Sequence, residues 1–469
     1  MSGAKMDFAD RAHRALNDRP LQEALDIATT RFMVLRRESF ELFPEGETLR
    51  ERARQIKEAT LQRLDLYLEQ LADNIERTGG QVHWAATRDE AREIILKLAR
   101  ERGARLVVKS KSMATEEIEL NEALEHAGIT PVETDLGEYI IQLAREKPSH
   151  IIAPAIHKTK GQVAELFSRE VKRQLAADPE VLTKVARGEL REKFLRADMG
   201  ITGANFAVAD TGTIVLITNE GNGRLVTTLP RIHVALMGIE KVIPSLTDLM
   251  VFLSILPRSA TGQKISSYVT LVRGARRPGE LDGPEEFHLV LLDSGRSGQL
   301  AGTLREALYC LRCGACLNVC PVYRQIGGHA YGHTYSGPIG ILLTAMLHGT
   351  HAVKELAHAS SLCGACQDAC PVKIDIPRML IELREHLDRE KIAPWAERLL
   401  FKSFARFLTR PALYRFSARL ARLVQRPFLE DGRLKRLPAL FRAWTDHRDL
   451  PPVAERSFTE RWAELERER

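Results

Sequence analysis

All seven cysteines of this 469-residue chain lie between positions 310 and 370, and their spacing leaves few choices for what that region can become. The first four read Cys310-x-x-Cys313-x-x-Cys316-x-x-x-Cys320-Pro321. Three thiolates at three-residue spacing can wrap one cuboidal iron–sulfur cluster and offer it backbone amides, while a fourth before a proline points away to a second cluster. Gly314 and Ala315 are small, as suits backbone closing over sulfide. A structural zinc site would use two separated pairs rather than a run of this kind. An odd number of clustered cysteines is also a poor disulfide framework, and in a reducing compartment such thiols read as metal ligands.

The second run is Cys363-x-x-Cys366-x-x-x-Cys370-Pro371, with Ser360 where an eighth cysteine would stand. Crossed ligation predicts one cluster on Cys310, Cys313, Cys316 and Cys370, and another on Cys320, Cys363 and Cys366. The second is short of one thiolate. It is then either a 4Fe–4S cluster with a non-cysteine fourth ligand or a 3Fe–4S cluster, with Ser360 and Ser361 the nearest oxygen candidates. Water or a partner protein could also fill that position. His329, His333, His348, His351 and His358 lie between the motifs, but histidines there more commonly pack or face solvent.

Around the cysteine region the hydrophobic pattern defines the rest of the chain. Leu49, Ala53, Ile56, Leu64, Leu68, Leu71 and Ile75 predict one amphipathic helix over 47–78, stopped by Gly79-Gly80. Short strands are expected at 82–85, 106–109, 130–132, 151–153, 206–209, 213–218, 233–237, 268–272 and 288–292. Thr87 with Glu90 opens a helix ending near Gly103, Thr115 opens another ending at Gly128, and 160–198 is helical. Alternation of this kind implies a largely parallel α/β sheet, and consecutive strands beyond 206 suggest a mixed one. Tyr335-Ser336-Gly337-Pro338 looks like a helix start. After Pro371 the chain reads as wholly helical. The resulting domains are an N-terminal helical region (1–79), an α/β domain (80–295), an all-α iron–sulfur domain (300–392) and a basic helical segment (393–469).

No apolar run reaches the ~18 residues of a membrane span, and none follows the N-terminal residues, so a soluble cytoplasmic protein is expected. The net charge is +6, unevenly placed: from Arg398 to Arg448 there are thirteen Lys or Arg against three Asp or Glu. Such a tail could touch anionic lipid or nucleic acid, but a docking segment with a solvated basic face is the plainer reading.

Within the α/β domain, Gly200-Ile-Thr-Gly203-Ala-Asn205-Phe-Ala-Val-Ala-Asp210-Thr-Gly212 and Asn219-Glu-Gly-Asn-Gly-Arg224 place glycines and small polar residues at strand ends, where α/β sheets bind ligands. The second stretch could equally be a tight hairpin turn. Lys109-Ser110-Lys111-Ser112-Met113 lies between a strand and a helix, a place to hold an anion. Lys109, Lys111, Asp210 and Arg224 are therefore candidates for a small-acid pocket. Neither a dinucleotide fingerprint nor a phosphate-binding loop is present.

These segments, with Leu-Cys-Gly-Ala-Cys and Cys-Pro-Val-Lys-Ile, resemble the lactate utilization protein B family, in which a lactate-utilization (LUD) domain is fused to a two-cluster ferredoxin-type domain. The resemblance spans about residues 50 to 460, and all seven cysteines match the family's cluster ligands. It implies a part in oxidising L-lactate to pyruvate, alongside an iron–sulfur partner with CCG domains and a stand-alone LUD-domain partner; an electron acceptor is expected as well, and no nucleic acid. The expected role is electron transfer. The alternatives are a catalytic subunit binding a 2-hydroxy acid in its own α/β site, and a docking scaffold for partner redox proteins; under any of these readings the chain has no transmembrane segment and could touch a membrane peripherally.

Overall fold

A computed structural model describes residues 7–392, 395–438, 441–442, 445 and 448–468. Residues 1–6, read above for a missing apolar run, and Asp446 of the basic tail lie outside them. The chain forms two compact units, one up to Leu387 and one from Asp388.

The first unit opens with four helices, α1 (Phe8–Leu16), α2 (Arg19–Glu41), α3 (Gly46–Gln62) and α4 (Leu64–Glu76). Asp7 and Asp18 cap the first two, each accepting a backbone N–H from inside its helix. The single helix expected over 47–78 is two, because Arg63 leaves helical geometry at φ −132°. The apolar stripe continues across the break, through Ala53 and Ile56 to Leu68, Leu71 and Ile75, all buried.

Next come β1 (Gln81–Ala85), α5 (Arg88–Glu101), β2 (Leu106–Lys109), α6 (Met113–Glu117), α7 (Leu120–His126), β3 (Thr130–Glu133), α8 (Leu136–Ala144), α9 (Lys160–Glu170) and α10 (Pro179–Arg196). They are followed by β4 (Met199–Thr202), β5 (Phe206–Val208), β6 (Thr213–Thr218), α11 (Asn222–Thr228), β7 (Ile232–Gly238), β8 (Val242–Ile243), α12 (Leu246–Thr261), β9 (Tyr268–Val272) and β10 (Glu286–Leu292). Six strands form one sheet in the order β1-β10-β7-β4-β2-β3, every pair parallel. The consecutive strands beyond 206 form a second, four-stranded sheet, β8-β5-β6-β9, which is mixed as expected: β6 pairs antiparallel with β5 and β9, and β5 pairs parallel with β8.

Both faces of the parallel sheet are covered, as its unbroken apolar strands require. Adjacent residues of β2 point to opposite cores: Val107 packs with Ile95 and Leu124, and Val108 with Tyr139, Phe167 and Phe194. Three local expectations fail for identifiable reasons. The helix from Thr115 to Gly128 is broken by Glu119 at φ 52°, giving α6 and α7. Residues 151–153 form no strand, because the amides of Ile152 and Ala153 turn in to donate to His150 Nδ1 at 3.1 and 3.2 Å. Residues 219–223 lead into α11 rather than a hairpin.

The cysteine region is helical and loop-rich, with α13 (Ala315–Asn318), α14 (Tyr323–Ile326), α15 (Gly337–His348), α16 (Ala365–Ala369) and α17 (Ile376–Arg389). Pro338 stands in the first turn of α15, as its fixed φ favours. The second unit contains α18 (Trp395–Leu408), α19 (Pro411–Val424), the antiparallel pair β11 (Leu429–Glu430) and β12 (Arg433–Leu434), and α20 (Phe458–Glu468). That pair is the exception to an all-helical C-terminus. Leu400, Phe401, Phe404, Phe416 and Leu423 on α18 and α19 stand exposed among arginines. No helix among the described residues is long and apolar enough to cross a membrane.

Candidate cysteine-ligated metal centres

The two Cys-Gly-Ala-Cys loops share one backbone design. Arg312 and Leu362, just before Cys313 and Cys363, have φ 61° and 54°, and Gly314 and Gly364, just after them, have φ 76° and 86°. Left-handed residues on either side of a cysteine turn successive N–H groups toward a common concavity, an arrangement suited to an anion. Arg312 N lies 3.4 Å from Cys310 Sγ. Amides of Val322 and Tyr323 reach Cys320, and those of Val372 and Ile374 reach Cys370.

Six of the seven cysteines are buried and Cys363 is exposed. Burial pushes the Cys313 thiol up to about 12, with Cys370 and Cys310 the thiols that add to it. Cys370 is raised to about 11, by burial and then by Cys310. Cys366 is raised to about 12 by burial and by Cys320, and Cys320 in turn senses Cys363. Cys370 thus senses thiols of the first motif and Cys320 those of the second, while Cys316 is raised by Cys366 as well as by Cys310, Cys313 and Cys370.

These sulfurs do not surround a single ion. Four thiolates on one zinc, at ~2.3 Å each, would stand roughly 3.8 Å apart. The only His, Cys, Asp or Glu trio among the described residues with ligand atoms all within 4.8 Å of one another contains no cysteine. Wider spacing, amide donors to sulfur and a buried setting fit a polynuclear iron–sulfur group.

Cations surround the Cys310 side. Lys241 Nζ donates to the Cys310 carbonyl at 3.1 Å, and Arg50 Nη2 donates to the Cys370 carbonyl at 2.8 Å. Arg36 Nη2 donates to the Ala369 carbonyl at 3.0 Å. Burial, then Arg312 nearby, lowers Lys241 to about 8. Behind it, Arg296 holds Glu117 at 2.8 Å and Glu240 at 2.6 Å, and Tyr335 donates to Glu117 at 3.0 Å. This buried network fastens the end of the parallel sheet to the cysteine region.

Around Cys363 the setting is different. The Ala365 amide, then the Ser361 hydroxyl, hold its thiol below the ordinary range. Ser360 instead accepts the Leu362 amide at 3.2 Å, and its carbonyl accepts from Arg384. Of the five intervening histidines, His329 meets Lys147 O and His157, and His333 lies against His348.

A cavity of about 900 Å³ opens beside the first cysteine group, with Cys313, Leu311 and Arg312 in its wall. Its lining is mostly apolar, from Ala24, Ile27, Phe32, Met113 and Ile140, with Lys111, Asp135, Asn205, Glu220 and Lys241 as polar members. The structure does not bring the four pocket candidates together. Lys111 lines the cavity and forms no hydrogen bond or salt bridge among the described residues. Lys109 is buried in a 2.6 Å pair with Glu133. Asp210 is exposed near α4, where Asn74 donates to the Ala209 carbonyl. Arg224 lies over the Tyr268 ring. The glycine-rich segment divides likewise: Gly203 and Asn205 line the cavity, while Gly212 packs on the Asn74 backbone.

Nothing in the sequence analysis singles out Arg36, Arg50, Lys241 or Asp135, and Glu220 enters it only as part of the stretch from Asn219 to Arg224. The arginines sit far from the cysteines in sequence and carry no local signature; Asp135 was detectable as the residue before a Leu-Gly-Glu helix start. Burial, and next Asp135, push Glu220 up to about 7.

A parallel α/β domain joined to a helical double-cysteine region defines a LUD-type protein fused to a dicluster iron–sulfur domain. Residues 68–292 match the LUD domain, 306–374 the 4Fe-4S dicluster domain and 383–467 the C-terminal domain of lactate utilisation protein B. Lactate utilization protein B of Bacillus licheniformis is 45% identical over 97% of this chain and 96% of its own. Those of Geobacillus kaustophilus (49%, covering 88% and 87%) and Bacillus subtilis (44%, covering 98% and 96%) are similar. The chain belongs to the lactate utilization protein B family. A crystal structure of a DUF162 family protein from Deinococcus radiodurans aligns at 14% identity and TM-score 0.29, over 49% of this chain and 98% of that one.

Proposed function

We propose that this chain is the iron–sulfur electron-transfer subunit of a cytoplasmic complex that oxidises L-lactate to pyruvate, releasing two electrons and two protons. The observation that supports the reading is seven cysteines, six of them buried, gathered in a region that matches a 4Fe-4S dicluster domain, with Cys313 in the wall of the cavity. Cys310, Cys313, Cys316 and Cys370 would hold one 4Fe–4S cluster. Cys320, Cys363 and Cys366 would hold a second, either three-iron or completed by a non-cysteine ligand at the exposed Cys363 side. Bound there, such clusters supply one-electron redox centres. The residues themselves bury six sulfurs, donate amides to them and balance their charge with Lys241, Arg36 and Arg50.

The names of the relatives support a lactate utilization system. Its CCG-domain and stand-alone LUD-domain proteins are the partners proposed here, and the basic, apolar-studded faces of α18 and α19 are the surface proposed for them. A second reading is favoured by the cavity: Lys111 would hold a carboxylate and Glu220, near neutrality, would accept a proton. The cavity is far larger than a three-carbon acid needs, within the ~300–1,000 Å³ range of pockets for larger ligands.

The test is lactate-dependent cluster reduction with and without partners, in wild type and Lys111→Ala. Reduction requiring partners and insensitive to Lys111→Ala supports the transfer role. Reduction by the isolated chain that Lys111→Ala abolishes supports the second reading, and no reduction in either setting contradicts both.

A further inference from the structure

Away from the cysteines, three residues from distant parts of the sequence converge where the α/β domain meets the region that follows Cys320. Glu146 lies just after α8, His157 in the loop before α9, and His329 just after α14. One ligand atom from each falls within 4.8 Å of the other two. His157 Nε2 meets Glu146 Oε2 at 2.7 Å, and the two imidazoles stand edge to face with centroids 4.4 Å apart.

The hydrogen bonding around the trio is that of ligands held in place. His329 Nε2 lies 2.6 Å from the Lys147 carbonyl, so that nitrogen carries the proton and donates it, leaving the Nδ1 lone pair available. Metal-bound histidines commonly donate their other N–H to a backbone carbonyl in this way. The His157 side chain is only 8% exposed, and its Nδ1 has no hydrogen-bond partner among the described residues. Lys158 bonds Glu146 Oε1, so the carboxylate offers the ion one oxygen.

We propose that Glu146, His157 and His329 form a binding site for a divalent first-row transition ion. Two imidazoles and one carboxylate suit Zn²⁺ or Fe²⁺ and disfavour Mg²⁺ and Ca²⁺, which prefer oxygen ligands. Three protein ligands leave a position for water. The ion binds His157 Nε2 and Glu146 Oε2 in place of their hydrogen bond, and the imidazole proton moves to Nδ1, so that His157 stays neutral. It then clamps the loop before α9 to the segment after α14, reinforcing the contact that Tyr323 makes with the Ser149 carbonyl at 2.7 Å.

The full-length protein, its clusters intact and kept anaerobic, is dialysed against micromolar Zn²⁺ or Fe²⁺, and metal and sulfide are counted. One equivalent of Zn²⁺ beyond cluster iron is expected, with zinc-edge X-ray absorption showing N/O ligands near ~2.0–2.1 Å and no sulfur near ~2.3 Å. Glu146→Gln and His329→Gln should each weaken binding at least tenfold with cluster iron unchanged. Both alter exposed side chains, so they test the site even if His157→Ala fails to fold. One extra Fe²⁺ retained in preference to Zn²⁺, and lost in the same variants, also supports the site and assigns the ion. No extra equivalent, zinc on sulfur, or binding unaffected by both variants overturns the proposal.

Discussion

Arg50, on the third helix, donates through Nη2 to the backbone carbonyl of Cys370 at 2.8 Å, and through Nε to the same oxygen at 3.3 Å. The N-terminal helices therefore form part of the housing of a cysteine more than three hundred positions away. Arg50→Ala removes both donors and a nearby positive charge. Anaerobically purified Arg50→Ala protein should lose iron from the first group faster than wild type, and Arg50→Lys should recover only part of the difference, since one ammonium does not replace a planar fork. Timed iron release to a chelator checks this.

The crossed arrangement makes a second expectation. Cys370→Ala should damage the cluster built mainly by Cys310, Cys313 and Cys316, although it lies in the other motif. EPR of the reduced variant should show the first signal altered and the second retained; the reverse would mean each motif holds its own cluster.

Lys241 and its neighbours set the charge on the Cys310 side. Replacing Lys241 by Met removes one cation from an environment that must accept an electron. The potential of the nearer cluster should become more negative by roughly 40–90 mV, from a charge interaction of about 1–2 kcal/mol at intermediate dielectric. Redox titration followed by EPR measures it.

His150 makes acid stability specific. Burial, then the Lys111 charge, hold its imidazole down to about 3 in the fold, against about 6.5 unfolded. Between those values the unfolded chain binds more protons, so stability is complete above pH ~6.5 and falls as pH drops. At pH 5 the loss from His150 alone is roughly 2 kcal/mol. Anaerobic urea titrations should show His150→Gln with a smaller difference between pH 7 and pH 5 than wild type.

Much of this architecture was legible in the sequence. Apolar runs at 106–109, 213–218 and 288–292 sit on strands because buried parallel and antiparallel strands both need uninterrupted or alternating apolar residues. The cysteine spacing pointed to iron–sulfur ligation, in line with the 4Fe-4S dicluster match over 306–374, because ligand geometry acts over a few residues. The division of the strands into two sheets was not legible, since nothing local distinguishes which sheet a short strand joins. The pocket candidates show the same limit. Lys109 and Lys111 are equally charged and two residues apart, yet one is tied to Glu133 and the other faces the cavity. Arg36, Arg50 and Lys241 reach the cysteines only through tertiary folding, so their side of the site had no sequence signature.

The most direct measurement of the central claim is freeze-quench EPR of the partner-assembled complex after mixing with L-lactate. Reduced iron–sulfur signals should form at least as fast as pyruvate appears, and should be lost together with turnover in Cys316→Ala. Pyruvate formed at the full rate while both clusters stay oxidised, or with Cys316→Ala fully active, would contradict that claim.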